Sequence, residues 1–434
     1  MRVTIETLVF GGQALARLED GRVIFVWNAL PGEVVDIVII KKKKQYLEAV
    51  ATTIITPSTH RITPTMPYYL SSAAWDMMDS VTENEWKTTI AKDVYKKIGD
   101  LSDLNLDIIS SEIPYGYRNK IEFSFCDKNF IPKATRKEDH VEDISFAFFS
   151  RGSHDRIPVD GCALASPTIN SVASRILAWV KEQGIENRSL KSLIVRSNAN
   201  GEAIAALFIK DKLSFASHPQ LDNQLTGFHI YYSSHKSPAS RPDALLYSDG
   251  DMFLTETIRD VSLQYGLLSF FQVNPPLFEQ TLADIVPFID AASPVIDYYA
   301  GVGAIGLPLA KHCQSVLLVE SNEEAVALAT TNIALNNFGN ASAHCIEAEK
   351  MTEVITSDHI VIVDPPRVGL HMDMVETLLA VRPKRIVYLS CNLSTQARDV
   401  SLLLEGYTVS FSRLYNYFPR TPHVEGLLVL ERKH

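Results

Sequence analysis

The chain is poor in cysteine, has no excess of basic charge and contains no long apolar run. Its five cysteines are Cys126, Cys162, Cys313, Cys345 and Cys391. They lie far apart, are odd in number and include no Cys-x-x-Cys pair. This argues against a disulfide framework and against a zinc site built from local pairs. Cys313 and Cys345 sit in apolar surroundings and read as small core residues. No stretch approaches the ~20 apolar residues needed to cross a bilayer. The N-terminus, Met1-Arg2-Val3-Thr4-Ile5-Glu6, has no signal-peptide apolar core before its first acid. A cytoplasmic monomer with no membrane partner is expected. The net charge of -10 counts against an overall basic nucleic-acid binder, but it leaves room for a local basic face. There is no internal repeat and no low-complexity tract.

What is present fits a soluble globular chain of two to four domains, at roughly 100–200 residues each. Residues 1–57 read as a small β-barrel of short strands, with an Asp20-Gly21 hairpin signal and a turn at Leu30-Pro31-Gly32-Glu33. The run Lys41-Lys42-Lys43-Lys44 is either a solvated strand end or a contact for nucleic-acid backbone. Residues 58–255 read as a linker followed by a mixed α/β central region. Residues 57–80 look irregular, and residues 84–99 look helical, with Trp86, Ile90, Val94 and Ile98 on one face. This helix is a candidate to pack on the domain that follows. Ser166-Pro167 signals a helix start, and Asn200-Gly201 a hairpin turn.

Residues 256–434 read as a separate domain. From about residue 290, strands alternate with helices expected at 304–312, 322–337, 372–380 and 395–404, and two β segments close the chain. This is the pattern of a doubly wound, mostly parallel α/β sheet, which binds ligands at the carboxyl ends of its strands.

Four motifs fall at or near such ends. Asp297-Tyr298-Tyr299-Ala300-Gly301-Val302-Gly303-Ala304-Ile305-Gly306 contains Gly-x-Gly-x-x-Gly, a tight turn that approaches a nucleotide closely. Glu320 ends the next strand, where an acid accepts hydrogen bonds from ribose hydroxyls. That pair fits either NAD or S-adenosylmethionine. Asp297 tilts it toward the latter, whose ammonium group needs a partner. Asp364-Pro365-Pro366-Arg367 holds an acid rigidly at a strand tip. Amino-directed methyltransferases often place an aromatic residue after the prolines, where this chain has Arg367. Ser390-Cys391-Asn392 puts a thiol before a helix N-terminus, a position that favours thiolate. Glu425 heads the apolar run of the last strand, and His423 before it reads as an orienting or packing residue. A thiol nucleophile, a base and a methyl donor are what methylation of uracil carbon 5 requires, because that carbon is a poor nucleophile until a thiolate adds to carbon 6.

These residues, with Phe270-Phe271-Gln272-Val273-Asn274, Thr395 and His423-Val424-Glu425, resemble the RNA 5-methyluridine methyltransferase family that modifies 23S rRNA and tRNA. Residues 1–57 resemble its TRAM domain. The resemblance implies Cys391 as nucleophile and Glu425 as base. It implies S-adenosylmethionine contacts at Gln272, Tyr299, Ala304, Glu320, Glu347 and Asp364, with Ala304 able to offer only its backbone. Relatives often carry a [4Fe-4S] cluster. Three of its four cysteine positions here are Met66, Ser72 and Trp75, leaving only Cys162, so no cluster and no metal is expected. RNA is the expected substrate, with ribosomal RNA favoured over tRNA. The competing readings are methylation of a tRNA uridine, methylation of an exocyclic amine, and an RNA-binding protein without catalysis. Tyr68, Tyr69, Tyr115 and Tyr117 are candidates to stack on bases, with core or surface packing the favoured reading for each.

Overall fold

The computed structural model describes residues 1–129, 141–153, 155–237 and 240–433. The chain forms two compact units. The first comprises Met1–Glu6, Ala14–Met78 and Ile113–Leu254, and the second Thr7–Gln13, Asp79–Glu112 and Thr255–His434. No helix among the described residues is long and apolar enough to cross a membrane.

In the first unit, strands Arg2–Thr4, Val34–Lys42, Tyr46–Thr56, Val23–Trp27 and Ala14–Arg17 are hydrogen bonded in that order. Alternate residues face inward: Ala14 and Ala16, Ile24 and Val26, Val35 and Ile37, Leu47, Ala49 and Ala51 are all buried. This period of two is what a half-buried strand dictates. Gly21 and Gly32 both take positive φ, +83° and +82°, at the two expected turns. Lys41, Lys42, Lys43 and Lys44 are all exposed.

The rest of this unit is a seven-stranded sheet. Its order is Arg156–Val159, Ile144–Phe149, Lys120–Asp127, Leu190–Ser197, Ala203–Ile209, Leu225–Tyr232, Ala244–Gly250. Helix Pro167–Glu182 contributes Ile169, Val172, Ala173 and Ile176 to the same core. The Ser166 side chain accepts from the Ile169 N–H, and Pro167 opens the helix, as the sequence signals.

Residues 57–80 are not a free linker. Ala73, Ala74, Trp75, Asp76, Met77 and Met78 are all buried. Asp76 accepts from the Thr65 N–H at 2.6 Å and from the Tyr115 hydroxyl at 2.5 Å. The segment escapes periodicity because it is folded by such contacts rather than by a regular element. Tyr68, Tyr69, Tyr115 and Tyr117 pack partly buried against the core of this unit. The Tyr68 hydroxyl donates to the Gly161 carbonyl (2.9 Å) and the Tyr69 hydroxyl to Asn28 (2.5 Å).

The second unit holds an eight-stranded sheet in the order Ala341–Cys345, Ser315–Glu320, Pro294–Tyr298, Ile360–Val363, Arg385–Ser390, Glu425–Arg432, Tyr407–Asn416, Ile108–Ser110. The first five strands are parallel. Glu425–Arg432 runs antiparallel to both its neighbours. The central strands are continuously apolar (Ile360–Val363 is buried throughout), as strands covered on both faces require. Strand order reverses between Pro294–Tyr298 and Ile360–Val363, which opens a ligand crevice at their carboxyl ends.

Several expected elements shift. The helix expected at 304–312 is only Gly306–Leu309 followed by a tight turn over Ala310–His312. Pro308 inside it supplies no N–H donor. The helix expected at 84–99 starts earlier, at Ser80, capped by Asp79. Its buried face carries Glu83, Lys87, Ile90, Ala91, Val94 and Tyr95, while Trp86 is half-buried and Ile98 exposed. Cys313 is buried as expected, but Cys345 is exposed at the end of the edge strand.

Truncating the fully buried Trp75 to Ala is expected to destabilise the protein by about 3–5 kcal/mol. Chemical denaturation measures this, and a change below about 1 kcal/mol would show that the segment packs loosely.

Candidate active site

The strand Pro294–Tyr298 delivers Asp297, fully buried, to the crevice. The chain then reverses through left-handed backbone at Tyr299 (φ +64°), Gly301 (+55°) and Gly303 (+85°). A non-glycine residue rarely adopts this region, so Tyr299 is held under strain by its surroundings. Gly306 has no room for a side chain: a Cβ there would lie 2.6 Å from Leu318 and 2.9 Å from Asp297. Its N–H donates to Asp297 Oδ2 at 2.8 Å. The other carboxyl oxygen, Oδ1, is buried with no hydrogen-bond partner. Buried Asn332 pins the turn from behind, donating to the Val302 carbonyl at 3.0 Å.

Beside this turn lies a cavity of about 510 Å³, whose wall includes Tyr299, Glu320, Glu347, Leu370, His371 and Met372. That volume suits a nucleoside-sized ligand. The Glu320 carboxylate is fixed by backbone, accepting from Gly301 N (3.0 Å), Ser321 N (2.7 Å) and Asn322 N (2.8 Å). Glu347 is exposed on the cavity wall and pairs with Lys350 at 2.6 Å. Three of the six expected cofactor positions therefore share one cavity.

The other three stand apart from its wall. Asp364 follows Ile360–Val363, which pairs in parallel with Pro294–Tyr298 (Tyr298 opposite Val363), so Asp364 stands at the same edge as the glycine turn. Gln272 is buried just before helix Pro275–Ile285. Asn274, in the same segment, donates to the Tyr417 carbonyl at 3.2 Å. Ala304 is half-buried in the turn and carries no polar side-chain atom.

Cys391 and Glu425 are brought together by strand register. Arg385–Ser390 pairs antiparallel with Glu425–Arg432, with Ser390 opposite Gly426. The next rung sets Cys391 opposite Glu425, and residues on one rung share a face. Asn392 caps the following helix, Leu393–Leu403, and its Nδ2 donates to the Arg367 carbonyl at 2.7 Å. Thr395 Oγ1 donates to the same carbonyl at 3.3 Å. The Asp364-to-Arg367 loop is thus tied to the cysteine loop. A hollow of about 170 Å³ lies there, lined among others by Lys87, Ile90, Arg367, Cys391, His423 and Val424. His423 also meets the Phe418 ring edge-on.

Three carboxyls in this region are pushed toward neutrality. Burial raises Asp297 to about 8, helped by the charges of Asp364 and Glu320. Burial raises Asp364 to about 7. Burial, then Asp364, pushes Glu425 well above the carboxylate range, with Arg367 opposing. The Cys391 thiol is pushed up to about 11 by burial, then by Glu425 and Asp364, against the Arg367 guanidinium. Burial, the largest cause, works against the thiolate that a helix N-terminus favours.

The sequence named Ile90 only for its helical spacing and did not single out Lys87; both line the hollow from a helix distant in the chain. The signal was present in the i,i+4 pair Glu83 and Lys87, but such pairs ordinarily face solvent. The four family positions for a cluster do not fit one. They hold a thioether, a hydroxyl, an indole and a single thiol, with Met66, Trp75 and Cys162 buried. Among the described residues, no group of three or more His, Cys, Asp or Glu could hold a metal ion.

A parallel sheet with a glycine turn on its first strand, acids on the neighbouring tips and one antiparallel strand inserted near its end defines the class of Rossmann-like methyltransferases. Residues 96–433 match the sequence model of tRNA (uracil-5-)-methyltransferases, and residues 1–52 match the TRAM domain. The chain belongs to the tRNA (uracil-5-)-methyltransferase family and is an RNA methyltransferase. It is 28% identical to an uncharacterized RNA methyltransferase of Nitratidesulfovibrio vulgaris, over 99% of this chain and 96% of that protein. It is 30% identical to one from Caldanaerobacter subterraneus, over 99% and 97%. Its fold is similar to that of the Pyrococcus abyssi tRNA (uracil-54, C5)-methyltransferase solved with S-adenosyl-L-homocysteine. That match has a TM-score of 0.79 and 24% identity, covering 99% of this chain and 100% of the other.

Because Asp297 is raised from 3.8 to about 8, the folded state holds a proton that the unfolded state has released between those values. Stability therefore falls as pH rises through that window, with a slope approaching about 1.4 kcal/mol per pH unit for one proton. Asp297→Asn is expected to flatten the fall, measured by denaturation from pH 5 to 9. An unchanged slope would mean that Asp297 is ionised throughout.

Proposed function

We propose that this protein transfers a methyl group from S-adenosylmethionine to carbon 5 of a uridine in RNA, with Cys391 as nucleophile and Glu425 as base. The observation that supports the reading is the pairing of Ser390 with Gly426, a register that, continued by one residue, would set Cys391 opposite Glu425. The methyl donor would be held by Tyr299, Glu320 and Glu347 in the larger cavity, with Gln272, Asp364 and the backbone at Ala304 completing its contacts. The acids near it suit a cation. Asp297 offers a buried, unpartnered oxygen, and a positive ligand returns raised carboxyls to their ionised form.

When bound, the donor supplies an electrophilic methyl on a sulfonium. The chain's residues do the rest. Arg367, whose charge and hydrogen bond favour the thiolate, would hold Cys391 in that form once its proton has passed to solvent. The sulfur adds to carbon 6 of uracil, and the electrons of the 5,6 double bond pass to carbon 5 and the adjoining carbonyl. Carbon 5 would then take the methyl as the methyl–sulfur bond breaks, its electron pair staying on the donor's sulfur, which leaves as a neutral thioether. Glu425 removes the remaining carbon 5 proton, the 5,6 double bond reforms, and the bond from carbon 6 to sulfur breaks with its electrons returning to Cys391. The uridine must leave its stack to reach Cys391, at a cost of roughly a few kcal/mol, which favours a single-stranded loop.

We favour ribosomal RNA, because a TRAM domain precedes the catalytic unit and presents an exposed lysine run. A tRNA uridine is the second reading, because the similar solved enzyme is named for that substrate. The protein is taken to act as a monomer, without an iron–sulfur cluster, in the cytoplasm.

Tritiated-methyl transfer to unmodified rRNA and tRNA, followed by nucleoside analysis, should yield 5-methyluridine alone. Label in another nucleoside would remove the reading. Cys391→Ala should lose at least about 10⁴-fold in turnover, and Glu425→Gln should trap an RNA–protein adduct that survives denaturation. Donor binding should release protons and tighten from pH 6 to 8, because the bound cation lowers the acids near 7 and 8. Calorimetry in buffers of different ionisation enthalpy reads this, and proton uptake would contradict it.

A further inference from the structure

We infer that the buried pair Glu83 and Lys87, on helix Ser80–Gly99, is a positioning element that sets the stance of Glu425. The inference rests on the reading of Glu425 as the base. Both side chains are about 1% exposed. Lys87 Nζ donates to Glu83 Oε1 (2.8 Å), Asn416 Oδ1 (2.5 Å) and the Phe418 carbonyl (3.2 Å), which engages all three ammonium protons. Glu83 in turn accepts from Asn416 Nδ2 (2.9 Å) and from the Arg420 N–H (3.1 and 3.0 Å). The pair therefore grips the chain at 416, 418 and 420, which is the connection that delivers Glu425 to the head of its strand.

The same helix holds the far side of that residue. The Tyr95 hydroxyl donates to Gln396 (2.5 Å), whose amide donates to the Gly426 carbonyl (3.0 Å) and the Tyr388 carbonyl (2.8 Å). Gly426 is closed to any larger residue, since a Cβ there would meet the Tyr95 hydroxyl at 2.5 Å. Glu425 is thus bracketed by two clamps from one helix. Lys87 and Ile90 also line the hollow that contains Cys391.

A buried ion pair is a poor source of stability, because desolvation offsets its attraction. Its presence in the wall of a reaction site is better explained by what it orients. Glu83 and Lys87 lie outside both matched segments, 1–52 and 96–433.

The positioning matters at one step. When Glu425 takes the carbon 5 proton, the electrons of that bond reform the 5,6 double bond and expel the Cys391 sulfur. A carboxyl displaced by about 1 Å can slow such a step by about 10²-fold. The test is the full-length Glu83→Met/Lys87→Met double variant, which removes both charges together. It is assayed with a methylatable RNA transcript and S-adenosylmethionine, per donor-binding site. Turnover should fall about 10–100-fold, donor affinity should stay within about twofold, and the denaturation-resistant RNA adduct should accumulate as in Glu425→Gln. Unchanged turnover, or a loss without adduct, would overturn the inference. Should the double variant not fold, Glu83→Gln keeps the shape and an acceptor and should give the same signature more weakly; its absence there counts equally against. Cys391→Ala, run alongside, separates the two ideas. If it turns over, the reading of the reaction fails; if it is dead while the double variant is fully active, only the positioning role fails.

Discussion

The structure of the catalytic unit depends on one antiparallel strand in an otherwise parallel neighbourhood. A parallel strand leaves the crevice edge with its last residue. Glu425–Arg432 runs the other way, so it enters at that edge with its first residue. Glu425 is therefore presented beside the tips that carry Asp364 and Cys391. A ladder of main-chain hydrogen bonds from Arg385–Glu431 to Ser390–Gly426 fixes that adjacency.

Electrostatics in the unit follow from burial. Asp297, Asp364 and Glu425 are crowded at the ends of apolar strands, where desolvation favours their neutral forms. The Cys391 thiol is subject to the same pressure. Raised carboxyls of this kind favour a cationic ligand. On the proposed reading, the donor's own charge would ionise the acids. Arg367 is the residue of this group that opposes the thiol's shift, and it is tied through its carbonyl to Asn392 and Thr395.

Segments of the first unit differ in how their sequence encodes them. In the N-terminal sheet and in helix Pro167–Glu182, local pattern and capping agree with the final structure. Around Trp75 and Asp76, order comes from side-chain contacts between separated segments, and no local period announces it. Met66, Trp75 and Cys162 are likewise packed as interior residues.

The sequence by itself determined the alternation of strands and helices after about residue 290, the glycine turn, and the identity of Cys391, Glu425, Asp364 and Glu320 as candidates. Those signals are local, because a tight turn, a strand tip and an apolar strand are each written in a few adjacent residues. Only the tertiary structure decided which candidates meet. It placed Tyr299, Glu320 and Glu347 on one cavity. It joined Ile108–Ser110 to the edge of the catalytic sheet. It turned Lys87 inward, where the sequence had pointed to Trp86 and Ile98, because the buried face of a helix is chosen by what packs against it. Periodicity gives the spacing of a face but not its phase when an ion pair is enclosed among apolar residues.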